Sequence, residues 1–443
     1  MKKLITWVLA ALTIFLAPCD NALAQEFDKG LTPQQTKNVI DSIGDRLNRN
    51  YVFPKVAKAM SDKLKENEKK GAYKSITDPI QFANKLTEDL QAVSKDLHLR
   101  VSFNPEGIAE RDRTVSPADS TRYMDNYIRR LQRDNFGFKQ VEILDGNIGY
   151  LDLRSFSDTQ FASETATAAM NFLSNTDAII IDLRANGGGS PQMIQLISSY
   201  LFEGRVHLNS FYMRPTDDTL QTWTLPYVPG KRNTNADVYV LTSGSTFSAA
   251  EEFSYNLKNL ERATLIGETT GGGAHPGGNQ RVNDRFMIWL PTGRAISPIT
   301  NTNWEGTGVV PHINVPAADA LETAKLKALE TLKGKTDDEE MAYFYDWSIK
   351  GIQAEKNPVN VDLATLKTYA GKYGPREVRI ENNQLVYQRG KGRKYDLIPL
   401  SNNEFMLDGL SSFRIQFLSE NNKVVALLGN YQNGNQDKNL RDN

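Results

Sequence analysis

The segment Thr242 to Phe253 reads TSGSTFSAAEEF and places Ser248 where a strand pattern gives way to a helical one. A serine at the start of a helix is most often an N-cap that accepts a hydrogen bond from the backbone. The same position suits a nucleophile, because the positive end of the helix dipole stabilises a nearby oxyanion. The local sequence therefore leaves two interpretations open, a cap and a nucleophile.

A second candidate element is DLRANGGGSP, in which Gly187 to Gly189 follow an apolar strand pattern and precede a helical one. Glycine lets the backbone approach closely and leaves N–H groups free to face a developing anion, as an oxyanion hole requires. A flexible turn would explain the three glycines equally well. Without the lysine of a phosphate-binding loop, the run is weak evidence for nucleotide binding.

A catalytic serine also needs a base that takes its proton. Histidine is the usual choice, and a lysine with a lowered pKa is the alternative. Any single histidine is more often structural than catalytic. The chain contains four histidines: His98, His207, His275 and His312.

The amino terminus has the order of a secretory signal peptide: two lysines, an apolar run from Leu4 to Ala17, and then Ala22-Leu23-Ala24. The apolar run is too short to span a bilayer comfortably. Cleavage after Ala24 would remove Cys19, the only cysteine, and with it disulfides, cysteine-bound metal and a cysteine nucleophile. A lipid anchor on Cys19 is the alternative, which Pro18 disfavours. We therefore expect export to the periplasm or the extracellular space.

The composition of the chain argues against some classes of binding partner. Lys plus Arg (52) nearly balances Asp plus Glu (53), so no net field favours nucleic acid as a partner. No later apolar run approaches the roughly 18 residues of a membrane span. Nothing in the residue pattern calls for a metal or another cofactor. At about 150 residues per domain, two or three domains are expected, and the oligomeric state stays open.

The elements that must position these residues follow from the hydrophobic periodicity. Three amphipathic helices are indicated before residue 100, and Thr32-Pro33 and Asp78-Pro79 provide helix-start signals for two of them. From Asn147 onward, strand and helix patterns alternate, which predicts βαβ units around a largely parallel sheet. The last segment alternates apolar and polar residues around Asn-Asn pairs, which predicts antiparallel hairpins in a curved sheet or partial barrel. The predicted divisions are a signal peptide at 1–24, a helical region at 25–104, a connecting segment at 105–145, a catalytic core at 146–335, a linker at 336–361 and a β domain at 362–443.

Five motifs taken together resemble one protease family: DLHLRVSF, AIIIDLRANGGG, TFSAAEE, GETTGGGAHPGG and NWEGTGVVP, in this order. The resemblance is to the carboxyl-terminal processing (tail-specific) serine proteases. Within that family it is to the branch of interphotoreceptor retinoid-binding protein and the tricorn protease core. It implies an α/β fold with a crotonase-like (ClpP-like) stacked βαβ core and an N-terminal helical region. The final segment resembles a lipocalin-like β domain found on some secreted hydrolases.

The resemblance also implies a reaction and a set of residues. The reaction is hydrolysis of peptide bonds in a peptide or protein substrate. Ser248 matches the nucleophile, His98 the base and Glu305 the supporting glutamate of the tricorn-like branch. Gly188, or alternatively Gly187, and Ala249 match the residues whose N–H groups bind the oxyanion.

Some features depart from the family pattern. Tail-specific proteases use a lysine about 25 residues after the serine, where this chain has GGGAHPGG, so His275 becomes an alternative base. Leu97 occupies the place of a serine beside the base histidine in the tricorn branch. The segment 105–138 is too short for the PDZ domain that presents substrate tails. Because the family's lysine and the supporting serine are missing, a rival hypothesis is that the protein is a non-catalytic carrier of apolar ligands such as retinoids or fatty acids. A third is a scaffold whose β domain binds a partner or glycan.

Overall fold

The computed structural model describes residues 30–112, 117–357 and 359–442, so the predicted signal peptide and Cys19 lie outside the described residues. The chain divides into two compact units. The described part of the first unit lies within residues 30–122, 211–219 and 275–294. The second unit is built from residues 123–210, 220–274 and 295 onward.

Three amphipathic helices form most of the first unit: α1 (Pro33–Asn50), α2 (Pro54–Lys69) and α3 (Pro79–Ser94). The two predicted helix starts are confirmed. Thr32 Oγ1 accepts a hydrogen bond from the Gln35 N–H at 3.3 Å, and Asp78 Oδ1 accepts one from the Gln81 N–H at 2.7 Å. These bonds satisfy N–H groups that have no partner inside the helix. The helix α4 (Pro105–Asp112) follows β1 (Arg100–Phe103).

A three-stranded antiparallel sheet completes the first unit. In it, β1 pairs with β10 (Phe286–Pro291), which pairs with β9 (Gly277–Arg281). The assignment of residues 146–335 to one continuous core is therefore wrong for the segment 275–294. Its backbone is paired with β1, and its apolar side chains pack with those of α1 to α3 in one hydrophobic core. That core includes Leu47, Met60, Leu86, Val101, Phe286 and Ile288.

The second unit contains the predicted α/β core. Its six-stranded sheet has the order β12-β8-β7-β4-β3-β2, parallel except for the antiparallel pair of the last two strands. The strands are β2 (Phe138–Leu144), β3 (Ile148–Leu153), β4 (Ala178–Asp182), β7 (Asp237–Thr242), β8 (Ala263–Gly267) and β12 (Ile313–Asn314). All residues of β3 and β4 are buried, as expected for strands covered on both faces.

Helices connect and cover these strands. They are α5 (Pro117–Arg133), which runs from the first unit into the second, α6 (Thr159–Phe172), α7 (Pro191–Ser199), α8 (Ala249–Asn259), α9 (Ala320–Lys335) and α10 (Glu339–Lys356). Short 3₁₀ turns lie at Asn135–Gly137 and Ala317–Asp319. The segment 336–361, predicted as a linker, instead contains α10, because Tyr345 and Ile349 pack with sheet residues in the core. Both α7 and α8 begin directly after loops that leave the carboxyl ends of β4 and β7.

The carboxyl-terminal residues form an eight-stranded antiparallel sheet, preceded by the helix α11 (Leu363–Tyr369), which the sequence pattern did not indicate. The predicted antiparallel β domain is confirmed. Asn382, Asn383, Asn421 and Asn422 adopt the positive φ expected of hairpin turns. The strands are β13 (Gly371–Tyr373), β14 (Arg376–Glu381), β15 (Gln384–Arg389), β16 (Lys394–Pro399), β17 (Glu404–Leu407), β18 (Leu410–Glu420), β19 (Lys423–Tyr431) and β20 (Gln436–Leu440).

Three further strands lie where the chain passes between the units: β5 (His207–Met213), β6 (Asp218–Trp223) and β11 (Gly293–Ile296). A membrane-spanning helix would need about 20 predominantly apolar residues. None of the helices in the described ranges combines the length and the apolar character needed to cross a bilayer.

Candidate active site

Ser248 occupies a strained turn between β7 and α8. Its backbone has φ 55° and ψ −120°, whereas a conventional N-cap is extended with a negative φ. Non-glycine residues rarely adopt a positive φ, and such strain costs on the order of 1–3 kcal/mol. The side chain is only partly buried. A strained strand-to-helix turn that leaves a serine accessible is the arrangement that the nucleophilic serine of α/β-hydrolases uses.

The loop after β4 packs directly against this turn. Gly188 has φ +107°, and a Cβ built on it would lie 2.9 Å from the Ala249 nitrogen, the Phe247 oxygen and the Ser248 Cβ. Only glycine combines that conformation with so close an approach. The Phe247 N–H also donates to the Asn186 carbonyl oxygen at 3.0 Å. Gly188 is therefore closely fitted against the Ser248 turn, as a residue of a flexible loop would not be.

The two predicted oxyanion donors differ in their surroundings. Ala249 is the first residue of α8, where N–H groups have no partner within the helix. The Gly188 N–H donates to Asn186 Oδ1 at 2.8 Å, and Asn186 Nδ2 donates to the Leu153 carbonyl oxygen at 2.9 Å. An oxyanion that uses the Gly188 N–H would thus have to displace the Asn186 side chain.

Glu251 is a buried carboxylate that sequence reasoning missed, and it ties the turn together. Its Oε2 accepts hydrogen bonds from the N–H groups of Ser248 and Gly273, both at 2.8 Å. Its Oε1 accepts from Thr270 Oγ1 at 2.5 Å and from the Gly272 N–H at 2.6 Å. Burial raises the pKa of Glu251, and these four hydrogen bonds act in the opposite direction. The spacing S-x-x-E was a visible signal of a capping arrangement.

Glu305 lies on the neighbouring loop and supports the same glycine-rich segment. Its Oε2 accepts a hydrogen bond from the Ala274 N–H at 2.6 Å. Beside it, Trp304 Nε1 donates to the Gly273 carbonyl oxygen at 2.8 Å, and the Gly306 N–H donates to the Gly272 oxygen at 2.9 Å. Glu305 is thus connected to the Ser248 turn through residues 272–274 and Glu251.

Two of the predicted bases, His98 and His275, belong to the first unit and meet the same carboxylate there. Asp96 is completely buried; its Oδ2 lies 2.8 Å from His275 Nδ1, and its Oδ1 accepts from the His98 N–H at 3.1 Å. Tyr51 donates its hydroxyl proton to Asp96 Oδ2 at 3.2 Å. Burial lowers the pKa of His98 and outweighs the opposite effect of Asp96, while His275 lowers it further. A lowered pKa keeps His98 neutral near pH 7, as a general base must be.

The other two histidines make structural contacts. His207 stacks on Trp223 with ring centroids 4.4 Å apart, and His312 Nδ1 accepts a hydrogen bond from the Leu265 N–H at 2.9 Å. The second unit therefore brings together Ser248, Ala249, Gly188 and, through Glu251, Glu305. The first unit brings together His98 and His275.

Comparison with known proteins gives two family matches. Residues 147–315 match the model of peptidase family S41, and residues 30–144 match the N-terminal domain of peptidase S41 in eukaryotic IRBP. The chain belongs to peptidase family S41. Its S41 region contains every predicted residue of the serine site, and the N-terminal match contains His98.

Individual relatives of this S41 protein share modest identity with it. It is 25% identical over 209 residues to the carboxy-terminal processing protease CtpA of Bacillus subtilis, covering 46% of this chain and 43% of the relative. A carboxy-terminal-processing protease of Bartonella bacilliformis is 28% identical over 193 residues, 42% of this chain and 43% of the relative. The chain thus spans less than half the length of these relatives. A lipoprotein structure from Streptococcus agalactiae aligns with a TM-score of 0.44 and 16% identity, covering 68% of this chain and 98% of that one.

Proposed function

We propose that this protein is a serine peptidase that hydrolyses peptide bonds through an acyl-enzyme on Ser248. The observation that carries the proposal is the strained, partly exposed Ser248 turn, held by Glu251 and packed against Gly188. A turn whose only role was to begin a helix would not need a positive φ at its serine. Membership of peptidase family S41 supports the same reaction class.

The proposed reaction has two stages. In the first, His98 takes the proton from the Ser248 hydroxyl as Oγ bonds to the carbonyl carbon, and the carbonyl π electrons move onto oxygen. Collapse of this tetrahedral intermediate breaks the C–N bond, and His98 returns the proton to the leaving amine. In the second stage, a water molecule repeats the sequence on the ester and releases the acid. His275 is the alternative base.

The oxyanion is assigned to the Ala249 and Gly188 N–H groups, with the latter exchanging Asn186 Oδ1 for the negatively charged oxygen. One such donor is worth about 3 kcal/mol in well-studied serine proteases. Glu305 is assigned a positioning role through the Ala274 N–H. We further propose that the protein works after export, on peptides or unfolded protein segments, as the predicted signal peptide suggests.

The test is labelling with a fluorophosphonate probe together with hydrolysis of a library of unstructured peptides. The wild-type protein should form an adduct on Ser248 and cleave peptides, and Ser248→Ala should do neither. Ser245→Ala is the matched control, because this exposed serine lies in the same loop, and it should keep both properties. Full peptide hydrolysis by Ser248→Ala would refute the assignment. Absence of both adduct and cleavage in the wild type, with saturable binding of retinol or a fatty acid, would favour the carrier instead.

A further inference from the structure

A cavity of about 420 Å³ opens in the carboxyl-terminal β sheet, away from the Ser248 turn along the chain. Its size falls within the range of small-molecule sites. Six of its lining residues form three cross-strand pairs, in which the two members lie directly opposite each other on adjacent strands. These pairs are Arg376 with Arg389, Tyr387 with Tyr395, and Phe413 with Tyr431.

Curvature of the sheet turns these pairs toward one another. The strands β15 and β18 are not neighbours in the sheet, yet the Tyr387 and Phe413 rings lie 5.9 Å apart. The Arg376 guanidinium, on β14, lies 5.1 Å from the centroid of the Phe413 ring. The cavity is therefore a concave pocket with aromatic walls, because side chains from both sides of the curved sheet converge on it.

The pocket carries more positive charge than the protein neutralises. Arg376 is only 1% exposed and forms an ion pair with Asp437 at 2.6 Å, but its Nε and Nη1 have no hydrogen-bond partner within the described chain. Opposite it, Arg389 is exposed, as is Arg393 on the adjoining turn. Neither exposed arginine forms an ion pair with any described residue. Of these three guanidinium groups, only that of Arg376 is paired with a carboxylate of a described residue.

Without a bound anion, this arrangement of arginines lowers the stability of the folded protein. Like charges directly opposite each other on adjacent strands destabilise a sheet. Buried guanidinium nitrogens without partners add a desolvation cost. Two other basic residues of the same strands, which do not line the cavity, are each paired with a glutamate: Arg379 with Glu377, and Lys394 with Glu381. Arg389 and Arg393, at the cavity, form no such pair in the part of the chain that is described.

We propose that this cavity binds a small organic anion that carries a carboxylate or a phosphate on a ring. Guanidinium groups offer paired N–H donors whose geometry matches both oxyanions. The aromatic side chains provide flat surfaces for the ring, and the tyrosine hydroxyls provide donors and acceptors for its substituents. The Arg393 guanidinium already lies 5.1 Å from the centroid of Tyr395, so it stands at the edge of the same surface.

The experiment measures binding to the whole chain by isothermal titration calorimetry. The probes are glucuronate, whose carboxylate is bonded to a sugar ring, glucose 6-phosphate, whose phosphate is joined to the same ring through one CH₂ group, neutral glucose, and inorganic phosphate. The double variant R389Q/R393Q removes the two unpaired charges at exposed positions, where misfolding is not expected. The matched control R379Q/K394Q removes the same number of charges from the same hairpins, but from residues that pair with glutamates. Ser248→Ala, measured in parallel, should bind like the wild type because the cavity is independent of the proposed peptidase site.

Saturable binding of glucuronate or glucose 6-phosphate, at least about 10-fold weaker in R389Q/R393Q and unchanged in R379Q/K394Q, would support the proposal. Which of the two binds identifies the oxyanion. Failure of both ring anions to bind would overturn the proposal. Binding of glucose as tight as that of the ring anions would also overturn it, because the anionic group would then contribute nothing. Equally tight binding of inorganic phosphate would overturn it too, because the ring would then contribute nothing. Equal weakening in the two double variants would indicate a general charge effect and would overturn it as well.

Discussion

The buried carboxyl group of Glu252 should make the stability of this protein fall between pH 4.5 and pH 7. Glu252 follows Glu251 in α8 and is 3% exposed. Its Oε1 accepts a hydrogen bond of 3.4 Å from Asn209 Nδ2. Burial raises the pKa of Glu252 to about 7, and the amides of Asn209 and Asn256 only partly oppose that effect. The ionised form is therefore disfavoured in the folded protein.

The size of the effect follows from linkage between proton binding and folding. One pKa unit corresponds to about 1.36 kcal/mol. The difference between the ordinary value of 4.5 and about 7 therefore amounts to about 3 kcal/mol. Below pH 4.5 the group is protonated in both states, and this contribution is fully present. As the pH rises through about 7, the folded protein must ionise a buried acid, and the contribution is lost.

The substitution Glu252→Gln keeps the shape of the side chain and removes the titration. Relative to the wild type, the free energy of unfolding of this variant should rise by about 3 kcal/mol between pH 4.5 and pH 8. Urea unfolding at 25 °C, followed by circular dichroism at closely spaced pH values, measures that difference directly. Contributions of other titrating groups cancel, because both proteins contain them. Isotope-edited NMR of labelled glutamate would report the same ionisation independently.

A flat difference curve between pH 4.5 and pH 8 would refute the reasoning, as would a curve that falls with increasing pH. The control is Glu330→Gln, which changes an exposed residue of α9. Surface substitutions usually alter stability by less than about 0.5 kcal/mol, so this variant should follow the wild type at every pH.

Three further predictions concern the candidate active site. Gly188→Ala should destabilise the protein by roughly 1–3 kcal/mol and abolish fluorophosphonate labelling, because its Cβ would clash with the Ser248 turn at a φ that alanine avoids. Glu251→Gln should lower the free energy of unfolding by about 3 kcal/mol in urea titrations and slow labelling, because an amide NH₂ would face N–H donors. Asp96→Asn should move the acid limb of the kcat/KM profile to lower pH, because Asp96 raises the pKa of the proposed base His98.

Each of these predictions has a control and a contrary outcome. Gly187→Ala should be tolerated, because a Cβ there meets nothing within 4 Å; equal sensitivity at both glycines would contradict the fitted contact. Unchanged labelling in Glu251→Gln would show that the carboxylate does not position the turn. An acid limb that stays in place or moves upward in Asp96→Asn would argue against His98 as the base. Asp62→Asn, on the surface of α2, should leave that profile unchanged.

The sequence predicted helices and strands correctly where a few neighbouring residues determine them. The Thr32 and Asp78 caps fix where two helices begin, because each side chain reaches an N–H only three residues away. The buried strands β3, β4, β7 and β8 were visible as short apolar runs between turn residues. Local patterns failed for α10, which was taken as a linker. Its Tyr345 and Ile349 are buried by the sheet, and that burial cannot be read from the helix alone.

In the candidate site, too, some contacts could be predicted from the sequence and others could not. The spacing from Ser248 to Glu251 is that of a capping box, so a link between the two was already visible in the sequence. The other partners of Glu251 lie 19 to 22 residues further along the chain, and no periodicity connects them to it. Asn186 and Asp96 were missed for the same reason. Asn186 donates a hydrogen bond to the Leu153 carbonyl oxygen and Asp96 accepts one from Tyr51, and both contacts depend on how distant segments pack.

The sequence by itself determined the three amino-terminal helices, the main strands of the parallel sheet, the antiparallel carboxyl-terminal sheet, and the positions of the serine and glycine turns, because these depend on side-chain periodicity and backbone preference over a few residues. Only the tertiary structure decided that residues 275–294 pair with β1, that Gly188 fits against the Ser248 turn, and that one buried carboxylate joins this turn to three groups of residues 270–273. Those features arise from sheet pairing and close packing between distant segments, which no local pattern encodes.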